Sequence, residues 1–399
     1  MLKINHYLGG IFLVSGTAIG AGMLALPVMT SVMGFIPSMV LFLVCWICML
    51  ITAFFFLDVN LSVRGEPNLI SMAHRTLGTW GKVVSWIFYL LLLYSLIAAY
   101  IAGSGPLFLN AIQSLTGYMP PNWVGSFMLP LVFGGFIYFG TEGVDVINRI
   151  LMFGLIISYI VLAGFIPSRI DQHLLLHTDW KLVAFGVPLA ITSFGYHVII
   201  PTLSTYMDHN RKRLKRVIII GSTLPLLFYV VWQVLVLGVV PLEGPHGLLA
   251  ALKHGEASTV PLSYVIQNPL LAKTAQFFSF FAITTSFLGL AISLSDFLVD
   301  GLKIKKNWEG KLLAIGLTFT PPLVFVFTYR RGFIVALEYA GAFVAVLLLF
   351  LPAVMAWKLK KPKFYQTMKA KALIIFIIIV AAGIVIIDVV AQLGYHVHS

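Results

Sequence analysis

Two stretches of the chain carry residue types able to grip a small charged solute. The first, Ser15–Pro27 (SGTAIGAGMLALP), places Gly16, Gly20 and Gly22 within seven residues. It lies inside an apolar run long enough to cross a membrane. Each glycine costs about 1 kcal/mol relative to alanine in a helix interior, and lipid cannot satisfy the backbone groups that a break frees. A helix interrupted here needs protein or ligand to cover the interruption. The second stretch, 191–201 (ITSFGYHVIIP), sets a glycine, small hydroxyl residues, a histidine and a terminal proline inside a later apolar run. Helix N-termini present free N–H groups and a positive dipole end to a carboxylate. Helix C-termini and Ser or Thr hydroxyls present oxygens to an ammonium group or a cation. An α-amino acid carries both charges, so it suits a pair of such breaks better than a sugar or a purely anionic metabolite.

The surroundings of these stretches are those of a membrane bundle. Hydrophobic residues make up 60% of the 399 and charged residues 10%, against about 25% charged in soluble domains; mean hydropathy is +0.99. Runs near the 20-residue length of a span fall at 7–32, 35–58, 82–114, 124–141, 149–167, 181–206, 217–240, 271–301, 311–328, 332–357 and 372–394. The reading is an all-α polytopic membrane protein of about eleven transmembrane helices, forming a single transport domain over 1–399. The first run is long and lacks a clear cleavage site, which predicts a retained span rather than a signal peptide. With the N-terminus cytoplasmic, 20 of the 26 Lys and Arg fall in inside segments. That asymmetry predicts N-terminus in and C-terminus out. It also assigns the basic clusters at 211–216 and 358–363 to topology and anionic-lipid contact rather than to nucleic acid. Cys45 and Cys48 read as packing residues within the second span.

The broken first span opens helices one to five (7–169), and the broken sixth opens helices six to ten (181–357). Five is odd, so the two units insert with opposite orientation. Paired interruptions in such halves point to a site at an inverted-repeat interface. The helix at 372–394 is then an addition to the repeat.

Other polar residues inside the spans are fewer. His197 lies near mid-membrane, where an ionisable group is a functional candidate, and its ordinary pKa of about 6.5 suits reversible protonation. A neutral ring bonded to solute or to a neighbouring helix is the other reading. Asp296 and Asp300 sit one helical turn apart, and so share a face near the inner end of span eight. Glu142 and Asp145 follow span four, while Glu338 and Asp388 lie near the outer ends of spans ten and eleven. The histidines at 173, 177, 246, 254, 396 and 398 fall in outside segments at no metal-motif spacing, and no phosphate-binding loop is present. Catalytic residues, metal ligands and cofactors are therefore not expected.

GTAIGAGMLALP (16–27), TSFGYH (192–197) and TTSFLGLAISLSDFLVD (284–300) resemble the first-, sixth- and eighth-helix motifs of the hydroxy/aromatic amino acid permeases. That bacterial family lies within the amino acid/polyamine/organocation superfamily, and the tyrosine- and tryptophan-specific permeases are the most similar branch. The resemblance covers essentially the whole chain. It implies the LeuT-like 5+5 inverted repeat with helices 1 and 6 broken, and proton-coupled uptake of an aromatic amino acid across the cytoplasmic membrane. Thr17, Ala18, Gly20, Ala21 and Gly22 would meet the substrate's carboxylate and amine, with Ser193, Phe194, Gly195, Tyr196 and His197 as the opposite wall. Because this fold sets span three beside the substrate, Tyr94 and Tyr100 would flank an aromatic side chain. Thr284, Thr285 and Ser286 would face the first break, where sodium-coupled relatives of the fold hold an ion. Sodium is thus an alternative to the proton, and span five lacks the interior lysine that some proton-coupled relatives use. Val198 and Ile199 depart from the glycine and small polar residue that commonly follow the histidine. A serine or threonine permease is the alternative within the family.

Overall fold

The computed structural model describes residues 6–398 except positions 21, 64, 66, 139, 140, 306, 330 and 331, and the backbone alone at 136–146 and 391–398. The first apolar run forms two helices, α1 (His6–Ala18) and α2 (Gly22–Thr30), bent by 52° from one another. Then come α3 (Phe35–Ser62), the short α4 (Leu69–Leu77), α5 (Thr79–Thr116), α6 (Asn122–Tyr138) and α7 (Thr141–Phe165). The sixth run is again two pieces, α8 (Val183–Ser193) and α9 (Ile200–Tyr206), separated by irregular backbone and one 3₁₀ turn at His197–Ile199. The chain continues through α10 (Arg211–Leu237), α11 (Leu248–His254), α12 (Thr259–Val265), α13 (Pro269–Leu302) and α14 (Trp308–Thr328). Helix α15 (Gly332–Val344) passes through a π-helical turn at Ala345–Phe350 into α16 (Leu351–Trp357), and α17 (Met368–His398) ends the chain.

Among the described residues nine helices are long and apolar enough to cross a membrane, ten when α1 and α2 count as one broken span. The remaining span of the eleven predicted, 124–141, falls on α6, whose 17 described residues lie at the short end of spanning lengths. Both predicted interruptions occur where local sequence cannot sustain a helix. Asparagines start four of the others: the side chains of Asn68, Asn210, Asn268 and Asn307 accept N–H bonds at the first turns of α4, α10, α13 and α14, each such cap contributing about 1 kcal/mol.

Helices α1, α2, α3, α8, α9 and α10 pack on one another, while α5, α6, α7, α13 and α14 form a second group. Helix α15 lies between them, against α5 on one side and α8 on the other. Close approach to α8 requires Gly341: a Cβ there would stand 2.5 Å from Pro188 Cβ and 2.6 Å from its carbonyl oxygen. Backbone cannot yield as a flexible side chain can. Gly341→Ala is therefore expected to destabilise the protein by about 3 kcal/mol. Thermal melting of the detergent-solubilised variant checks this, and an unchanged midpoint would contradict it.

A polar clasp ties three distant segments at the face that carries the basic loops. Asp58, near the end of α3, is buried; Arg211 donates to it from Nε at 2.6 Å and from Nη2 at 2.7 Å. Tyr365, in the loop before α17, donates its hydroxyl to Asp58 Oδ2 at 2.8 Å. Burial, then the Asp58 carboxylate, push the Tyr365 phenol above its ordinary range, so it remains a donor at any physiological pH.

Candidate functional site

The two breaks meet each other and α13. A Cβ on Gly20 would lie 2.8 Å from Ser286 Oγ, and one on Gly22 would lie 3.0 Å from Ser193 Oγ. Glycine at both positions is what lets α13 and α8 close on the first break. The Tyr100 hydroxyl faces Ser286, so α5 also reaches this point. From α10, the buried Tyr229 places its hydroxyl 2.7 Å from the carbonyl oxygen of Ala18 and 2.8 Å from that of Ser193. Those are the last residues of α1 and α8. The C-terminal ends of two half-helices, each with carbonyls that lack helical partners, thus converge on one hydroxyl. The N-terminus of α2 begins beside them at Gly22. Ala18, Gly20, Gly22, Ser193, Ser286 and Tyr100 are brought together as the sequence predicts; Ala21 lies outside the described residues.

Other predicted positions are placed differently. Thr17 is exposed and donates its hydroxyl to Leu13 of its own helix at 2.7 Å. Phe194 is buried with its ring edge-on to Tyr229, centroids 5.3 Å apart. Gly195 packs beside Leu348 of the π-helical turn. Tyr94 donates to the Leu317 carbonyl of α14 at 2.9 Å, which aims it at the second helix group rather than at the breaks. Of the three α13 hydroxyls, that of Ser286 stands against Gly20 of the first break. Thr285 donates to Phe281 of its own helix at 2.8 Å, and Thr284 Oγ1 is buried with no hydrogen-bond partner. At 3.6 residues per turn, three consecutive residues spread over about 200° of a helix, so they cannot all face one neighbour.

His197 is fully buried in the 3₁₀ turn that follows the second break. Its Nε2 lies 2.9 Å from Thr52 Oγ1 on α3. Thr52 Oγ1 is also 3.2 Å from the Cys48 and Met49 carbonyls of its own helix. A hydroxyl that donates to its helix keeps a lone pair for an Nε2–H, leaving Nδ1 as the open proton acceptor. Nδ1 has no hydrogen-bond partner. The ring stacks on Tyr196 with centroids 5.2 Å apart and meets the edge of Phe56 at 6.0 Å. Tyr196 is itself buried, its hydroxyl turned toward Ser222 of α10 without completing a hydrogen bond.

Beyond His197, at the face with the basic loops, lies a cavity of about 620 Å³. Val198, Pro201 and Thr202 lead into it from the second break. Trp86, Tyr89 and Phe297 wall it, with ring centroids 5.4 Å and 5.2 Å apart at the two Phe297 contacts. Asp296 and Asp300 line it from α13, as their shared face predicts, opposite Lys82 and His74. At the other face a smaller cavity of about 200 Å³ has Glu338 and Asp388 in its wall. The side chains of Glu142 and Asp145 lie outside the described residues.

Three residues of this region have no motif to single them out in the sequence: Thr52, Tyr229 and Asp58. A weak signal exists for Tyr229. Ser222, Tyr229 and Gln233 repeat at helical spacing along α10 and put one polar stripe on its largely apolar part beyond the basic first turns. In the structure that stripe accepts from Trp46, touches both breaks, and donates from Gln233 to Thr30 of α2 at 2.6 Å.

Two half-helix pairs whose breaks meet, held by a second helix group, have the arrangement of the LeuT-like fold. The crystal structure of MhsT in complex with L-phenylalanine superposes on 96% of this chain and 98% of its own, with a TM-score of 0.64 at 15% identity. Residues 3–390 match the tryptophan/tyrosine permease family, and the chain belongs to that family. It is 31% identical over 407 residues to tyrosine-specific transport system 1 of Haemophilus influenzae, covering 98% of each chain. It is 30% identical over 355 residues to the tryptophan-specific transport protein of Pseudomonas aeruginosa, covering 88% of this chain and 85% of that one. The protein is a multi-pass membrane permease for amino acids rather than an enzyme.

Proposed function

We propose that the chain imports an aromatic amino acid, tyrosine foremost and tryptophan or phenylalanine as further substrates, by proton symport across the bacterial cytoplasmic membrane. The observation that carries this reading is the convergence of the Ala18 and Ser193 carbonyls beside the N-terminus of α2. It supplies separate places for an ammonium, at the carbonyls, and for a carboxylate, at the helix N-terminus. The carboxylate takes the N–H groups of Gly20 and Gly22 and the Ser286 hydroxyl; the ammonium takes the two carbonyls. Tyr100 stands beside Ser286 on the side-chain end. The relatives' names, tyrosine- and tryptophan-specific, favour an aromatic substrate over serine or threonine. The basic face is the cytoplasmic one in this reading, with the N-terminus inside, the C-terminus outside, and the Lys and Arg clusters resting on anionic lipid. The 620 Å³ cavity is then the inward exit.

His197 is the proton carrier: its Nδ1 lone pair is open and buried, one residue from the second break. Sodium is the second reading, and the unpartnered Thr284 Oγ1 is the observation in its favour. Proteoliposome uptake of labelled tyrosine, tryptophan and serine under an imposed proton or sodium gradient separates these. Uphill tyrosine uptake on the proton gradient alone, collapsed by a protonophore and unaffected by excess serine, is the expected result. Uptake that follows only the sodium gradient, or that serine blocks, would replace it with one of the alternatives.

A further inference from the structure

A phenol has one proton, yet Tyr229 Oη stands within hydrogen-bond distance of two carbonyls, Ala18 O at 2.7 Å and Ser193 O at 2.8 Å. Both carbonyls are acceptors at helix ends, and among the described residues neither receives a backbone N–H from a following turn. The cluster of three oxygens is therefore short of donors. A single hydroxyl serves one carbonyl well, or both poorly through a shared bond. An ammonium nitrogen placed between the same two carbonyls would serve both and have a third N–H left over. Tyr229 is 1% exposed, and its ring meets that of Phe194 edge-on with centroids 5.3 Å apart.

We propose that the Tyr229 hydroxyl is the stand-in for the substrate's ammonium group: it occupies the two half-helix carbonyls while the site is empty and gives them up when an amino acid binds. This rests on the amino acid reading above and adds a residue to it. The consequence is a competition. In the empty protein the hydroxyl keeps the ends of α1 and α8 joined through α10, and the arriving ammonium must break that bond to make its own. A ligand with no ammonium has no reason to displace it, so the hydroxyl also selects for α-amines. Because α1 and α8 belong to opposite halves of the chain, the exchange passes the state of the site to both broken helices at once.

The test is equilibrium binding to the purified full-length protein in nanodiscs, with three probes: L-tyrosine, tyramine, and 3-(4-hydroxyphenyl)propionate, which lacks the amine. Removing the competing hydrogen bond in Tyr229→Phe should tighten L-tyrosine and tyramine by about three- to tenfold, the worth of one such bond, and leave the propionate unchanged. Equal changes for all three probes, unchanged L-tyrosine affinity, or weaker L-tyrosine binding would overturn the assignment. A second measurement does not depend on how the variant folds. With 3-fluorotyrosine at position 229, the ¹⁹F resonance should move on adding L-tyrosine or tyramine and stay fixed with the propionate; a resonance that ignores bound L-tyrosine also overturns it. If the unmodified protein binds none of the probes, the amino acid reading itself fails and takes this inference with it. If it binds L-tyrosine while the variant and the resonance do not respond, only the role of Tyr229 fails.

Discussion

His197→Gln is expected to abolish uphill accumulation while sparing counterflow, the exchange of labelled for unlabelled tyrosine at equal concentration. Glutamine can still donate an N–H to Thr52 Oγ1, which in the native protein meets His197 Nε2 at 2.9 Å, so the second break keeps its tie to α3. What glutamine cannot do is gain and lose a proton near neutral pH. One proton moving through 100 mV brings about 2.3 kcal/mol, enough to sustain roughly fiftyfold accumulation. The variant should fall to none, measured as the internal-to-external ratio of labelled tyrosine in proteoliposomes. Loss of counterflow as well would instead make His197 a substrate ligand or a structural strut. Full accumulation by the variant would remove it from the mechanism.

The second large effect concerns stability. Asp58 is a nearly closed-off carboxylate, its side chain 4% exposed, while Arg211 is 44% exposed. Removing Arg211 leaves the buried charge with the Tyr365 hydroxyl and the more distant Lys215 ammonium. Breaking a buried pair from one side costs about 3–5 kcal/mol; because the guanidinium is half in water, Arg211→Ala should cost about 2–3 kcal/mol. Tyr365→Phe removes one charge-assisted bond and should cost about 1.5 kcal/mol. A replacement that removes both charges, Asp58→Leu with Arg211→Ala, should recover much of the loss, since no unpaired charge remains. Thermal melting of Arg211→Ala, Asp58→Leu and their double variant measures this as a coupling energy. If Arg211→Ala melts with the native protein, the pair is only a surface contact.

Much of the architecture is local information. Sixty per cent apolar composition, the length of each run and the placement of Lys and Arg concern each span on its own. Glycines at 16, 20 and 22, and the TSFGYH segment, mark breaks because helix stability is lost within a turn or two of such residues; in the structure α1 ends at Ala18 and α2 begins at Gly22, while α8 ends at Ser193 and α9 begins at Ile200. The shared face of Asp296 and Asp300 follows from helical spacing alone, and both line one cavity.

Which hydroxyl faces which break is another kind of information. Thr284, Thr285 and Ser286 look interchangeable in a row, and only the rotation of α13 about its axis brings Ser286 to Gly20 while Thr285 bonds back to Phe281. Tyr94 lies on the predicted helix yet bonds Leu317, since the register of α5 against α14 decides where it points. Tyr229 meets Ala18 from 211 residues away and Tyr365 meets Asp58 across 307. No local propensity encodes such a pairing. The chain's own pattern settles that it is a membrane bundle broken in two places, because hydropathy and glycine act within one helix. The contents of the site, down to the hydroxyl shared by two helix ends, come only from how the helices turn and pack on one another.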